Sequence, residues 1–506
     1  MNKLGIDVGG TNIDFAVVDQ HDQLLYGTKV LSNRDFQSCF LEGIKALQEK
    51  NRFKVSEIST IHLGTTLAIN SLLERSSLAK VGVLRIAGHA PDLPPAYQWP
   101  LAYRDAILAA YKNIPGGREY DNSTLKAFDR QLCLAAVDEL LQQGAESIAI
   151  TSVFSPFYAD DELTAAACIK AQFGDIPITL SHRVGSLGFI TRENTTILNA
   201  TLQKVLRKSF ANLQQTLNEL GFNCECFITQ NNGTLLTLAE AIEFPVKTIA
   251  SGPTNSIKGA CKLASCADGI VIDIGGTSTD LGLIQNGLPL YSLGGSCIAD
   301  ISCQLLTPDV NSLAMGGGSI ITKINNTYQI GPTSLGGTLF ESCLSVGGPN
   351  LTLYDVGRVL NANTDYPTLS VSEAERIMQF YLGIIKSEAR RLLPLATNVP
   401  ILLVGGGSAN IPDNLLNNQF IRPNNFAIAN AYGAALSEIA GEVDCIIDCN
   451  EDRDRILNDL EAQAIKAAIQ KGALPASVKI IEKKTLPLHY MPTPKQRVLI
   501  TAAGKR

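Results

Sequence analysis

Two stretches of the chain place an aspartate, two glycines and a threonine in the same order between apolar runs. The first is Gly5-Ile6-Asp7-Val8-Gly9-Gly10-Thr11-Asn12, and the second is Asp273-Ile274-Gly275-Gly276-Thr277-Ser278-Thr279-Asp280. In each, paired glycines at a hairpin turn let backbone N–H groups approach an anion with no Cβ in the way. Thr11, Asn12, Thr277, Ser278 and Thr279 add side-chain donors around it. Asp7 and Asp273 stand at strand ends, where a carboxylate faces phosphates through a magnesium ion. That ion prefers one or two carboxylates together with water and phosphate oxygens. One such turn reads equally well as an ordinary hairpin. Two copies 266 residues apart read as two domains closing on one triphosphate. Asp280 either orients the second turn or a water, or bonds only its own turn.

A third glycine cluster, Gly405-Gly406-Gly407-Ser408, follows the apolar run Leu402-Leu403-Val404. A buried strand entering three glycines lets a flat purine or ribose lie against backbone. The chain has no Gly-x-x-x-x-Gly-Lys-Ser/Thr loop, and no Gly-x-Gly-x-x-Gly after its first strand. It has no Gly-x-Ser-x-Gly elbow either. The order of phosphate turn, second phosphate turn and adenosine turn resembles the superfamily of actin, chaperone ATPases and sugar kinases. That resemblance implies ATP and magnesium as cofactors.

These turns need strands and helices to aim them. Alternating short β-rich runs and helical segments predict an α/β fold. Strands are expected at 3–8, 13–18, 58–63, 80–85, 146–153, 269–274, 280–284, 400–404 and 478–482. Helices are expected at 36–50, 125–143, 160–173, 192–220, 372–391, 430–440 and 454–471. Residues 87–120, rich in proline and glycine, read as an irregular excursion or a lobe. The repeat suggests two RNase H-like, actin/sugar-kinase-type domains around a nucleotide cleft, with a small α+β C-terminal appendage. The expected ranges are 1–190, 191–440 and 441–506.

Composition narrows the class. The chain has 506 residues, 45% of them hydrophobic and 18% charged, enough to bury large cores. A net charge of −6 argues against a nucleic-acid partner. No apolar run approaches the roughly 18 residues that span a bilayer. The first residues lack a signal-peptide layout, so the expected location is the cytoplasm, with no membrane partner. The twelve cysteines read as reduced thiols there. The five histidines form no cluster that points to a metal.

Several longer stretches resemble the hydantoinase A / 5-oxoprolinase family, ATP-dependent cyclic-amide hydrolases and their carboxylase relatives. They include the run from Gly64-Thr65-Thr66 through Asn70 to Glu74-Arg75, and Arg192-Glu193-Asn194 with Thr196, Asn199 and Ala200. Ser251-Gly252-Pro253, Gly316-Gly317-Gly318-Ser319, the spacing of Cys343, Gly347, Thr352 and Asp355, and Leu486-Pro487-Leu488-His489 extend it along the chain. Asn12-Ile13 stand where many members have Phe-Thr, and Leu344-Ser345 replace a usual Tyr-Gly.

The resemblance implies transfer of the γ-phosphoryl group of ATP to the carbonyl oxygen of a ring amide such as a hydantoin, lactam or 5-oxoproline. It implies Asp7 and Asp273 on magnesium, and Thr65, Thr66 and Asn70 as substrate residues lining the cleft next to the phosphates. Arg192, Glu193, Asn194, Ser251 and Gly252 fall on the substrate side, with a second hydantoinase-type subunit or a homo-oligomer as partner. Duller readings stand beside these: Thr65, Thr66 and Ser251 as helix caps, and Arg192 with Glu193 as a solvated ion pair. The alternatives for the whole are an ATP-dependent carboxylase subunit, a small-molecule kinase, and a nucleotide-gated scaffold without catalysis.

Overall fold

The computed structural model describes the chain except residues 1, 33–34, 52–53, 89–92, 293–294, 326, 363, 393–398, 417, 450–451 and 490–492. Among the described residues, three sheets of four or more strands organise it. The largest has nine strands, in the order Lys479–Leu488, Lys495–Gly504, Glu438–Asp448, Thr234–Thr237, Glu225–Thr229, Ile58–Thr65, Asn2–Val8, Asn12–Val18 and Leu24–Leu31. The second has six. At its centre Gly269–Ile274 lies between Thr279–Gln285 and Ile401–Val404, and Val310–Leu313 pairs with Thr279–Gln285. The third is a parallel sheet of four strands, Leu108–Ile114, Val81–Ile86, Ser147–Ser152 and Ile178–Leu180.

The two hairpins form as their glycines require. Gly9 N donates to Asn12 O at 3.0 Å, and Gly275 N donates to Ser278 O at 2.9 Å. The flanking strands are buried through Leu4, Ile6, Ile13, Phe15 and Val17 in the first copy, and through Ile270, Ile272, Ile274 and Leu281 in the second. Each copy therefore anchors its turn on a separate apolar core.

The sheet order cuts across the ranges expected from sequence. Strands 225–229 and 234–237 continue the first sheet, and 438–448, 479–488 and 495–504 complete it. The C-terminal strands are thus integral to the sheet that carries Asp7. The reason is pairing: Glu438–Asp448 aligns with Lys495–Gly504 along its whole length and with Thr234–Thr237 on its other side. Of the two readings of residues 87–120, the structure agrees with a lobe: the helix Leu101–Ile107 leads into the strand Leu108–Ile114 of the four-stranded sheet. The helix expected from 125 starts at Arg130, where the Asp129 carboxylate caps Gln131 N and Leu132 N.

Two helices cross between the sheets and fix their separation. Ser251–Ala264 and Ala429–Ala435 touch through glycines. A Cβ on Gly259 would sit 1.9 Å from Ala429 O, and one on Gly433 would sit 1.8 Å from Asn255 O. Both contacts are with backbone, which cannot rotate away. Gly433→Ala is therefore expected to cost about 3 kcal/mol, the upper end for overpacking. The shift of the urea midpoint at constant slope checks it.

Candidate active site

Strand register builds the site. Asp7 stands opposite Asp14, Asp14 stands opposite Lys29, and on the other side Asp7 stands beside Gly64. In the second sheet Asp273 stands opposite Asp280, Asp280 opposite Ser312, and Asp273 beside Val404. The repeat thus carries a pair of carboxylates in each half, with Asp14 and Asp280 again 266 residues apart.

The rows come together across the cleft. A Cβ on Gly276 would lie 2.7 Å from Thr11 Oγ1, so the second turn faces the first at close range. Gly405 follows directly on the strand beside Asp273, and a Cβ there would lie 2.1 Å from Asp273 Oδ1. Its φ of 81° is a second reason for glycine at that position. Gly64 makes the matching approach in the first half, where a Cβ would lie 2.5 Å from Asp7 Oδ1. The glycine run expected to matter at 316–318 clasps the second turn from outside. Gly317 N donates to Gly275 O at 2.9 Å, and Gly318 N donates to Gly276 O at 2.7 Å.

Four carboxylates, two of them buried and two half-buried, resist ionisation. Burial, then the neighbouring Asp14, raises Asp7 to about 7, although Asn430 Nδ2 donates to its Oδ2 at 3.4 Å. Burial raises Asp280 to about 6 against the hydrogen bond from Ser312 Oγ at 2.5 Å. Asp14 and Asp273 are also raised, in both cases mainly by burial. Lys29 is the cation that bears on Asp7, Asp14 and Asp273 alike, and its Nζ lies 2.8 Å from Asp14 Oδ1. Among the described residues no three His, Cys, Asp or Glu side chains converge as a closed metal cage. Asp7 and Asp273 nevertheless suit magnesium, which takes one or two carboxylates and completes its shell with water and phosphate. Buried carboxylates that resist ionisation are the donors a divalent cation relieves.

Two expected nucleotide ligands are corrected. Thr279 is fully buried, and its hydroxyl meets Met315 O at 2.5 Å and Tyr381 Oη at 2.8 Å, because strand alternation turns it away from Asp280. Ser408 Oγ donates to Gly405 O at 2.8 Å and closes its own turn. Gly9, Gly10, Asn12, Thr277, Ser278, Gly406 and Gly407 remain at the three turns.

The expected substrate residues divide. Thr66 Oγ1 donates to Val8 O at 3.3 Å, and Asn70 Nδ2 donates to Thr66 Oγ1 at 3.1 Å. With Thr65 Oγ1 accepting from Leu67 N at 3.1 Å, these three pin the end of the Asp7 strand to the next helix. Arg192, Glu193 and Asn194 are braces, contrary to both sequence readings. They lie in the helix Phe189–Glu219, which is buried throughout residues 192–203. Arg192 donates to Ser181 Oγ, Ser186 O and Ser152 O at 2.8–2.9 Å. Both Glu193 oxygens accept from Arg85 at 2.6 Å. Asn194 accepts from Trp99 Nε1 and donates to Ser302 O, each at 2.9 Å. With each guanidinium nitrogen and both carboxylate oxygens bonded inside the protein, these side chains bolt the four-stranded lobe to the body.

Ser251 and Gly252 open the helix Ser251–Ala264, one turn before Asn255. Ser251 Oγ is buried with no partner among the described residues, and a Cβ on Gly252 would meet open space. Asn255 Nδ2 donates to Thr229 Oγ1 at 3.0 Å and lies against Gly64, which places that turn beside Asp7.

Sequence reasoning missed Asp14 and Lys29. The 266-residue offset that relates Asp7 to Asp273 also carries Asp280 onto Asp14, so a signal for Asp14 existed. Nothing local marks Lys29.

A twofold-repeated hairpin, each copy with two facing carboxylates, on two sheets bridged by packed helices defines an α/β protein built on an internal repeat. Residues 3–173 match the hydantoinase/oxoprolinase N-terminal region, and residues 192–378 match the hydantoinase/oxoprolinase family proper. The chain belongs to the hydantoinase/oxoprolinase family. It is 27% identical over 384 residues to the caprolactamase subunit alpha of Pseudomonas jessenii, covering 72% of this chain and 55% of that one. It is 25% identical over 416 residues to the 5-oxoprolinase of Saccharomyces cerevisiae, covering 71% of this chain and 31% of that one. The chain thus spans about half the length of the first relative and about a third of the second.

The ATP-dependent caprolactamase structure from Pseudomonas jessenii superposes with a TM-score of 0.78 at 20% identity, covering 99% of this chain and 87% of that one. A nucleotide-free acetone carboxylase superposes at 0.74 and 16% identity, covering 100% and 88%. At these identities the likeness is one of fold. Among the described residues no helix is long and apolar enough to cross a membrane.

Proposed function

We propose that the chain binds ATP between its two Gly-Gly-Thr hairpins and uses the γ-phosphoryl group to open a cyclic amide. The observation that carries this reading is the paired carboxylate hairpin, repeated and facing itself across Thr11 and Gly276, in a member of the hydantoinase/oxoprolinase family. A ring amide is a poor electrophile. Phosphorylating its carbonyl oxygen gives an imidate-like carbon to which water adds. The ring C–N bond then breaks, the nitrogen leaving with a proton, and a second water displaces phosphate from the acyl carbon of the acyl phosphate to give the open acid. Such a reaction asks the protein for positioning and charge neutralisation more than for covalent chemistry.

Asp7 and Asp273 would hold magnesium, which supplies charge compensation for the phosphates and their orientation. The backbone N–H groups of the two turns would receive the phosphate oxygens. Asp14 and Asp280 would orient the turns from the facing strands. The third glycine turn, Gly405-Gly406-Gly407, would pack against the nucleotide, with its Gly405 end beside Asp273. The first turn of the Ser251 helix, with its unbonded hydroxyl, is the part of the site we assign to the ring. A second subunit belongs to this proposal, because the first relative is named as an alpha subunit and this chain spans about half of it.

The test is ADP release with magnesium and ATP across hydantoins, lactams, 5-oxoproline, and ketones with bicarbonate. The expected result is release that rises with one cyclic amide and yields a ring-opened acid. A stable phosphorylated product would make the chain a kinase, and a response to ketone with bicarbonate would make it a carboxylase. Either outcome overturns the reading.

A further inference from the structure

We propose that Lys29 grips the terminal phosphate of the nucleotide across the cleft, and that Asp14 holds it ready until the nucleotide arrives. This rests on the ATP reading above and adds a residue that neither turn motif contains. The argument begins with an asymmetry in the repeat. Both halves place two aspartates opposite one another on adjacent strands, but the next position in the row is Lys29 in the first half and Ser312 in the second. Two rows alike in their acids differ in that only one ends on a cation.

The position of that cation is specific. Lys29 Nζ lies 2.8 Å from Asp14 Oδ1 and 2.9 Å from Asp14 Oδ2, so the carboxylate holds it from one side. On the other side it reaches the opposite half. A Cβ on Gly406 would sit 3.3 Å from Nζ, and the lysine stem continues along the same glycine. Lys29 therefore spans from the sheet of the first turn to the third turn of the second half. Its side chain is 28% exposed, which leaves the ammonium reachable from the cleft, whereas Asp14 beneath it is 8% exposed.

The charge balance requires such a group. A triphosphate alone carries more negative charge than one divalent ion offsets, and it would enter beside the carboxyl groups of Asp7, Asp14, Asp273 and Asp280. A lysine ammonium is a compact point charge suited to phosphate oxygens. In the transfer step a bond forms between the amide carbonyl oxygen and the γ-phosphorus. The bond from that phosphorus to the bridging oxygen breaks, and ADP leaves with the electron pair. Lys29 acts by neutralising charge on the moving phosphoryl oxygens. When phosphate departs, the ammonium returns to Asp14.

The measurement is calorimetric binding of ATP and of ADP, with magnesium, to the full chain and its variants. Lys29→Gln is expected to weaken ATP by about 10- to 100-fold and ADP by less than about 3-fold, because only ATP carries the contacted phosphate. Lys29→Arg is expected to restore part of the preference. Asp14→Asn is expected to keep it, since the ammonium then loses a rival anion. Equal weakening of both nucleotides, or of neither, in a Lys29→Gln protein with an unchanged melting temperature overturns the proposal. If the wild-type chain prefers ATP in a Lys29-dependent way yet opens no ring in the panel, the ring reading falls and Lys29 stands. If the wild-type chain binds neither nucleotide, both fall.

Discussion

Asp7→Asn is expected to fold, to resist heat better than the wild-type protein at pH 8 without nucleotide, and to turn over ATP about a thousand-fold more slowly. Stability and activity move in opposite directions because one cause drives both. Asp7 is 8% exposed and its pKa is raised from 3.8 to about 7, first by burial and then by Asp14. A carboxyl whose folded pKa lies above its unfolded value favours the fold in its protonated form. That contribution is complete below about 4, fades as pH rises, and is gone above about 7. Asparagine copies the neutral form at every pH. The variant should therefore gain on the wild type as pH climbs from 4 to 8, by an amount on the order of a few kcal/mol. Melting temperature against pH, in the presence of a chelator, reads this directly. Parallel curves for the two proteins would show that Asp7 is not held out of water with its charge uncompensated. Loss of turnover follows because the same carboxylate is assigned to magnesium.

The second large effect lies far from the turns. Glu193→Gln, or Arg85→Met alone, is expected to destabilise the chain by about 3–5 kcal/mol, the cost of leaving one buried charge without its partner. Both side chains are almost fully buried, at 0% and 1% exposure, and two parallel bonds of 2.6 Å join them. The bonds from Arg192 to the lobe lie next to them. The double variant Arg85→Met/Glu193→Met should recover most of the loss, since an apolar pair of similar volume needs no compensation. Denaturant melts of the three proteins decide it. Single variants within about 1 kcal/mol of wild type would mean the pair is solvated after all.

These predictions also mark where sequence reasoning stopped. The two hairpins were legible because their chemistry is local: glycines, hydroxyls and one aspartate within eight residues. Lys29 was not, because its role comes from strand register and from a glycine more than 370 residues later. Thr279 looked like a phosphate donor because it follows Ser278, yet strand alternation points it at Tyr381.

The polar residues that open the helix Phe189–Glu219 suggested a face toward substrate or solvent. A helix buried on every side through residues 192–203 removes that inference. The strand Glu438–Asp448 was read in part as the end of an alanine-rich helix, because its main partner, Lys495–Gly504, lies well beyond any local window. Local motifs thus revealed the two hairpins, and non-local pairing decided which side chains surround them.

The most direct test of the proposed chemistry follows one oxygen atom. The ring amide that stimulates ADP release is prepared with oxygen-18 in its carbonyl group and turned over in ordinary water. Phosphorylation of that oxygen predicts that the label leaves in inorganic phosphate, with one labelled oxygen per ring opened. Label found only in the carboxylate of the product would contradict release of that oxygen with phosphate, the outcome on which this account rests.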